Sequence, residues 1–325
     1  MLWIPRVDTR RTTRVAVGCA VTLVASGCSL LLTSKSHVDP ATAGPDYAVQ
    51  GEYVSENPPF GAQVVARGHG DFEAVLYRGG LPGAGWDRSP RIALEGERED
   101  GRLDLTGGAT LALENDSLVG TGPDGEALAL IKIERESPTL RQPPPPGARV
   151  VFDGSGTEDV DGTMNNQGLL LAGAESRRSF RDFKLHLEFR TPFTPDGDGQ
   201  FRGNSGVYLQ DRYEVQVLDS FGLPEKDNDC GGIYQVSPPA VNMSFPPLRW
   251  QTYDIDFTAA RWDAEGNKTA PARVTVRHNG VVIQDDTEIP GPTGGGAGEA
   301  DTPGPIHLQD HWDPVTYRNV WVLPK

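Results

Sequence analysis

Three polar residues at short spacing, Glu214, Gln216 and Asp219, are the first candidates for chemistry in this sequence. The run that carries them alternates polar and apolar residues, which is typical of a strand buried on one face only. A carboxylate midway along such a strand must face water or a ligand, because burying it without a partner is costly. Two carboxylates on one strand can act as acid and base if their environments separate their pKa values.

A second candidate group lies in the segment 304–311, which reads Gly-Pro-Ile-His-Leu-Gln-Asp-His. Its alternation directs His307 and Gln309 to the polar face and leaves Asp310 and His311 at the end of the strand. A histidine beside a carboxylate can move protons at neutral pH, so His311 is a further candidate. Asp310 and His311 could also bind a divalent cation, although the spacing fixes no third ligand and no cofactor is certain.

A hairpin must position the first group, and its register can be read from the alternation. A two-residue loop would pair Leu209 with Glu214 and mix polar with apolar side chains on each face. A three-residue loop at 210–212 pairs Leu209 with Tyr213 and keeps both faces uniform. The sequence therefore predicts the three-residue loop.

This register places four polar side chains on one face of the hairpin: Asn204, Tyr208, Glu214 and Gln216. A bulge near Leu218 could return Asp219 to the same face. We expect Asn242 and the segment 227–234 to line the same region. The glycine- and proline-rich segment 288–304 is either a flap over the cleft or disordered, and the sequence leaves both open.

The chain as a whole is predicted to be all-β, since its 39 glycines and 27 prolines separate short alternating runs. Residues 46–136 indicate a small all-β domain, a meander or an open barrel, of unknown role. Residues 137–148 contain four consecutive prolines and indicate a stiff linker. Residues 149–325 have the size of one β-sandwich domain.

The N-terminus has the features of an export signal. Four arginines precede the apolar run 15–25, and residues 24–28 resemble the lipobox of bacterial lipoproteins, in which Cys28 becomes the lipidated first residue. We therefore expect a signal peptide over 1–27, a tether over 28–45, and a protein anchored by lipid to the cell envelope, facing the periplasm or the cell surface. An ordinary cleaved signal peptide is the alternative.

Charge and cysteine content narrow the classes of partner. The formal net charge of −15 argues against nucleic acid or anionic lipid as a partner. Membrane contact is therefore expected only through the lipid anchor. With Cys28 lipidated and Cys19 removed with the signal peptide, Cys230 would remain alone, which excludes a disulfide framework.

Seven segments together resemble the 3-keto-disaccharide hydrolase domain family: 151–154, 203–209, 213–220, 231–234, 250–253, 304–311 and 317–321. A small leading domain with a proline-rich spacer is similar to planctomycete versions of that family. The spacing Glu-x-Gln-x-x-Asp at 214–219 also resembles the catalytic strand of family 16 glycoside hydrolases, Glu-x-Asp-x-x-Glu. The amide at Gln216 and the shorter acid at Asp219 depart from that pattern.

The resemblance implies a concanavalin A-like jelly-roll β-sandwich and an exported enzyme of carbohydrate breakdown. Its substrate would be a glycoside or oligosaccharide already oxidised at C3 by a separate sugar 3-dehydrogenase. The ketone acidifies the C2 proton, so cleavage would proceed by proton abstraction, elimination and addition of water.

For the chemistry that the resemblance implies, we assign hypothetical roles to the candidate residues. Glu214 or Asp219 would be the base, and His311 the acid or the partner of the enolate. Tyr208 would stack on the sugar. The remaining substrate ligands would be Asn204, Gln216, Asn242, Gln309 and Asp310.

Two other functions fit the same residues. The fold also serves lectins, so the domain could be a non-catalytic carbohydrate-binding module on a surface lipoprotein. A family 16-type glycosidase acting on unoxidised glycan is the third hypothesis. The differences from the family 16 pattern at Gln216 and Asp219 count against it. The convergence of titratable groups favours an enzyme.

Overall fold

A computed structural model describes residues 35–325 of the chain. The predicted signal peptide 1–27 and Cys28 lie outside the described residues. Within the described part, no helix is both long enough and apolar enough to span a membrane. A 3-10 turn at Pro40–Thr42 and a short helix α1 at Pro45–Val49 precede the first strand.

The leading domain is a closed barrel in which each strand pairs with the next and β1 also pairs with β8. Its strands are β1 Gly51–Glu56, β2 Pro59–Gly68, β3 Asp71–Arg78, β4 Ile92–Glu99, β5 Arg102–Gly107, β6 Thr110–Glu114, β7 Ser117–Thr121 and β8 Ala127–Ile133. Along β3, for example, Phe72, Ala74 and Leu76 point inward and fill the barrel. The predicted all-β domain is thus a meander, and closure removes the free edges that an open barrel would expose.

The second domain is a sandwich of two large antiparallel sheets. Its strands are β9 Arg149–Phe152, β10 Val160–Asp161, β11 Leu170–Leu171, β12 Ala174–Ser176, β13 Phe183–Arg190, β14 Ser205–Leu209, β15 Tyr213–Val217, β16 Gln251–Thr258, β17 Arg261–Trp262, β18 Lys268–Ala270, β19 Ala272–His278, β20 Val281–Ile289, β21 Ile306–Leu308 and β22 Thr316–Pro324. The five-stranded sheet has the order β10-β12-β21-β14-β15. The seven-stranded sheet has the order β11-β22-β13-β16-β19-β20, with β9 added beside β22. The predicted all-β sandwich fold is confirmed.

The hairpin β14–β15 has the predicted register. Leu209 pairs with Tyr213 and Tyr208 pairs with Glu214. The loop residues Gln210 and Asp211 adopt left-handed backbone angles, with φ of 57° and 58°. Strand β21 joins the other side of β14, where His307 lies opposite Tyr208. The two candidate groups therefore belong to β15 and β21, which lie on either side of β14 in one sheet.

The proline-rich segment does not act as a free spacer, since its residues contact the outer face of the seven-stranded sheet. The Ser137 hydroxyl lies 2.6 Å from that of Thr252, and the Thr139 hydroxyl donates to Asp254 at 2.7 Å. The described end of the predicted tether is also held, because His37 forms a β-bridge with Phe193 of the sandwich. Phe193 in turn packs in the barrel core.

Candidate active site

A cavity of about 350 Å³ opens on the polar face of the five-stranded sheet. It is lined by Gln200, Asn204, Glu214, Gln216, Tyr234, Gln235, Gly294, Gly295, Gln309 and His311. Its size lies within the usual range for small-molecule sites, and its lining is rich in amides and titratable groups. Asn204, Glu214, Gln216, Gln309 and His311 were all predicted as site residues.

Glu214 is the buried acid of this cavity, with 2% of its surface exposed. Burial raises the pKa of Glu214 to about 7, and a hydrogen bond from the Tyr208 hydroxyl to Oε2 at 2.8 Å lowers it only in part. The Glu214 backbone N–H donates to the Thr293 hydroxyl at 2.9 Å, which fixes the strand against the loop that follows β20. A carboxyl group with a pKa of about 7 can take up and release a proton at neutral pH.

Two glycines leave room for this carboxyl group and its partner. A Cβ on Gly206 would lie 2.2 Å from Glu214 Oε1, so any larger residue at position 206 would displace the acid. A Cβ on Gly295 would lie 2.8 Å from the Tyr208 hydroxyl, and its φ of 79° is in the left-handed region that favours glycine. The loop after β20 can therefore approach the site closely.

Some amide atoms of the cavity are held by hydrogen bonds, and others are available to a ligand. Gln200 Oε1 accepts from Gln216 Nε2 at 3.0 Å and from Asn204 Nδ2 at 3.2 Å, which fixes both amides. Asn204 Oδ1 and Gln309 Oε1 are buried and have no hydrogen-bond partner among the described residues. Because a buried acceptor without a donor is costly, these two oxygens are suited to accept from hydroxyls of a ligand.

Comparison with known proteins identifies the domain. The sequence model of a family described as the 3-keto-alpha-glucoside-1,2-lyase-like domain matches residues 137–323. This chain belongs to that family. No curated protein matches the chain significantly.

Among the solved structures similar to this lyase-like domain are proteins of Parabacteroides distasonis that are named, provisionally, as glycosyl hydrolases. One is 34% identical, has a TM-score of 0.52, and is matched over 56% of this chain and 85% of its own. A second is 15% identical with a TM-score of 0.40, over 55% and 94% of the two chains. The family and the first of these structures support a carbohydrate-active, hydrolase-like role.

Asp219 does not reach the cavity of the lyase-like domain, contrary to the sequence expectation. Its Oδ2 accepts from Arg202 Nε at 2.9 Å, and both side chains are almost fully buried. Arg202 also contacts the carbonyl oxygen of Ala66 in the barrel at 3.4 Å. Asp219 therefore forms a structural ion pair with Arg202 at the contact between barrel and sandwich, and it is not available as a base.

Tyr208 also has a different place from the one expected. It is 2% exposed and its ring stacks on His307, with the centroids 5.5 Å apart, so it offers no face to a sugar. Its hydroxyl lies 2.8 Å from Glu214 and 2.7 Å from the Gly294 carbonyl oxygen. Tyr208 therefore positions the acid instead of stacking on the substrate.

Two further expected ligands have structural contacts instead. Asn242 Nδ2 donates to the carbonyl oxygens of Ser220 and Leu223, and its Oδ1 accepts from the Ser244 N–H, so its amide is fully used. Asp310 is exposed, and its Oδ1 accepts from the Trp312 N–H at 2.8 Å. Neither side chain lines the cavity.

Sequence reasoning did not single out Gln200, Gln235, Gly294 or Gly295. Gln200 lies in the 3-10 turn Gly199–Phe201, and the other three lie on loops. In such segments no alternation of polar and apolar residues shows which side chain faces the site. The segment 288–304 has the path of a flap, because Gly294 and Gly295 line the cavity. Tyr234 also lines it, as expected for the segment 227–234.

Metal binding was left open for Asp310 and His311, and neither belongs to the group of possible ligands that the described residues bring together. Among the described residues, one group has ligand atoms within 4.8 Å of one another: Glu175, Asp211 and His307. His307 Nδ1 and Asp211 Oδ1 already lie 2.8 Å apart as a hydrogen-bonded pair.

A larger cavity, of about 530 Å³, lies between the barrel and Arg249. Four of its six charged side chains are already paired: Glu52 with Arg135, and Glu134 with Arg249. The cavity at Glu214 is therefore the better candidate for chemistry.

Proposed function

We propose that this protein cleaves 3-keto-glycosides by removal of the C2 proton, elimination of the leaving group and addition of water. The observation that carries the proposal is Glu214. It is a buried carboxyl group with a pKa raised by burial to about 7, in a cavity shared with His311 and two unpartnered amide oxygens. A lectin needs hydroxyl ligands but has no need for such a titratable group.

Glu214 is the base in the first step. A ketone at C3 acidifies the neighbouring C2–H, and the ionised carboxylate takes that proton while the electron pair moves to the C3 oxygen as an enolate. The Tyr208 hydroxyl beside Oε2 orients the carboxylate. Asp219 cannot take this role, because Arg202 holds it away from the cavity.

His311 is the acid in the second step. The enolate collapses, a C1–C2 double bond forms and the C1–O bond breaks, and the leaving oxygen takes a proton from the imidazolium of His311. Water then adds at C1 and gives a proton to the neutral His311, and C2 regains a proton from Glu214, so both groups return to their starting states. The balance is one water consumed for each glycosidic bond cleaved.

Substrate hydroxyls are held by amide oxygens. Asn204 Oδ1 and Gln309 Oε1 are the available acceptors, and Gln216 supports them through its bond to Gln200. The ligand class is a glycoside or oligosaccharide. A separate sugar 3-dehydrogenase would supply the ketone, because none of the groups lining this cavity carries out redox chemistry on its own.

The cellular setting is part of the proposal. We expect export and lipid attachment at Cys28, with membrane contact through the anchor only. Replacing Cys28 with serine should release the protein from the membrane fraction and abolish labelling by a palmitate analogue. Unchanged labelling would place the modification elsewhere.

The decisive experiment compares trehalose with 3-keto-trehalose in D₂O. Cleavage of the oxidised sugar alone, with one deuterium at C2 of the 3-keto-glucose product, is the expected result, since proton abstraction exchanges that hydrogen. Equal cleavage of both sugars, or no deuterium at C2, would contradict elimination. Binding of the oxidised sugar without any turnover would support the carbohydrate-binding module instead.

A further inference from the structure

Two aromatic side chains beside the cavity are strongly exposed. Trp312 and Phe201 are 89% and 77% exposed, and the next large hydrophobic residue among those described, Ile131, is 59% exposed. Each directly follows a residue that lines the cavity: Trp312 follows His311 and Phe201 follows Gln200. Exposed apolar side chains beside a polar cavity indicate a binding surface.

The two segments that carry these aromatics are bonded to each other. Asp313 Oδ2 accepts from the Asn204 N–H at 2.9 Å, which joins the segment after His311 to the segment after Phe201. The Trp312 ring lies 5.2 Å from the His311 ring, centroid to centroid, in an edge-to-face arrangement. The two segments that carry the aromatics therefore meet beside the cavity.

The backbone of Trp312 is unusual for a bulky residue. Its φ is 64°, in the left-handed region where glycine is the residue of least strain. The side chain is not buried, so packing within the protein does not compensate for this conformation. A strained and exposed aromatic next to a catalytic candidate is better explained by contact with a ligand.

We propose that Trp312 and Phe201 form an aromatic platform that stacks on the leaving group of the substrate. This inference rests on the proposed function, and it specifies the substrate class as glycosides whose leaving group is itself a ring. A pyranose or an aryl ring can cover an indole face, whereas a small alcohol cannot. Contact with this remote ring would contribute to turnover by holding C1 and C2 beside His311 and Glu214.

The test compares three oxidised substrates that share the 3-keto-glucosyl group: a methyl glycoside, a disaccharide and an aryl glycoside. The variants are Trp312→Gly, Trp312→Phe and Phe201→Ala. Trp312→Gly should lower kcat/KM about tenfold or more for at least one ring-bearing substrate and less than about threefold for the methyl glycoside. Trp312→Phe should retain most of the activity, and Phe201→Ala should have a smaller effect than Trp312→Gly.

Thermal unfolding provides the stability control. Trp312→Gly should unfold at the same temperature as the wild type or higher, because glycine suits the left-handed backbone. A loss confined to the disaccharide identifies a sugar leaving group, and a loss confined to the aryl glycoside identifies an aromatic one.

The outcomes separate the two proposals. If the wild type cleaves the methyl glycoside, the proposed function holds whatever the variants do. Equal loss on all three substrates, or no loss on either ring-bearing one, would then overturn the platform alone. If the wild type cleaves none of the three, the proposed function fails and the platform fails with it.

Discussion

Glu188 on β13 and Glu214 on β15 are both buried acids on strands of the sandwich, yet their surroundings have opposite effects. Glu188 is 0% exposed and Glu214 is 2% exposed. The pKa of Glu188 is lowered to about 2, whereas that of Glu214 is raised to about 7. Burial alone therefore does not decide what a carboxyl group does in this protein.

The difference comes from the donors around each acid. Burial raises the pKa of Glu188, but hydrogen bonds with His186, Asn319 and Arg318 outweigh this effect and lower the pKa. The Arg318 Nε atom lies 2.7 Å from Glu188 Oε2. Glu214 has a neutral hydroxyl as its side-chain donor. An acid with a cation beside it remains ionised and structural, while an acid without one can exchange protons near pH 7.

The largest expected effect is on the rate, in Glu214→Gln. Removal of the base should reduce turnover of a 3-keto-glycoside by about 10² to 10⁴-fold, the usual contribution of general acid–base catalysis. His311→Ala should cause a loss of similar size if His311 is the acid. Turnover within about threefold of the wild type in both variants would exclude this site.

Glu214→Gln should also stabilise the fold above neutral pH. The folded-state pKa lies above the ordinary value, so the wild type loses stability as pH rises from about 4.5 to about 7. That loss amounts to about 3 kcal/mol. The variant should be more stable than the wild type at pH 8 and equal to it at pH 4, as measured by urea unfolding.

The next effect is the loss of a buried charge partner in Asp219→Asn. Arg202 and Asp219 are both almost fully buried, so breaking their pair should reduce the free energy of unfolding by about 3 to 5 kcal/mol. Turnover by the folded fraction should change less than about threefold. A large loss of turnover with unchanged stability would restore Asp219 to the active site.

Glu188→Gln should destabilise the protein by about 3 kcal/mol at pH 7. The folded-state pKa of Glu188 is depressed, so its stabilisation is present above about pH 4.5 and is lost as pH falls towards 2. The difference between variant and wild type should therefore shrink in acid, opposite to the behaviour of Glu214→Gln. The same pH dependence in both variants would contradict the comparison.

The sequence predicts what depends on local periodicity. Alternation on both sides of 210–212 predicts the register that pairs Tyr208 with Glu214, and alternation along 304–311 predicts that Gln309 faces the same cavity. These side chains follow from period two and from the need to keep each face of the sheet uniform.

Contacts made by irregular backbone could not be predicted in this way. Asp219 follows the end of β15, so its orientation depends on where the chain turns and on Arg202, which the hairpin pattern does not include. Gln200 lies in a 3-10 turn and Gly294 on a loop, in distant parts of the chain. The use of Tyr208 as a positioning residue depends on its distance to Glu214, which a shared face does not fix.

The smallest expected effect concerns the hydroxyl that donates to the reactive carboxylate, in Tyr208→Phe. Its hydrogen bond lowers the pKa of Glu214, so its removal should raise that pKa further and reduce the ionised fraction of the base at pH 7. We expect turnover to fall by less than about tenfold at pH 7. The fall should be smaller at pH 8.5, because the base is ionised in both proteins there.

The shape of the pH–rate profile distinguishes this effect from a packing defect. If Tyr208 acts through Glu214, the acidic limb of the profile should move to higher pH while the plateau rate stays nearly constant. Tyr213→Phe is a matched control on the same hairpin, because its hydroxyl donates to Glu299 at 2.7 Å and not to Glu214. The control should leave the limb in place. A uniform loss at every pH in Tyr208→Phe would mean that the hydroxyl supports the loop at Gly294 and not the acid.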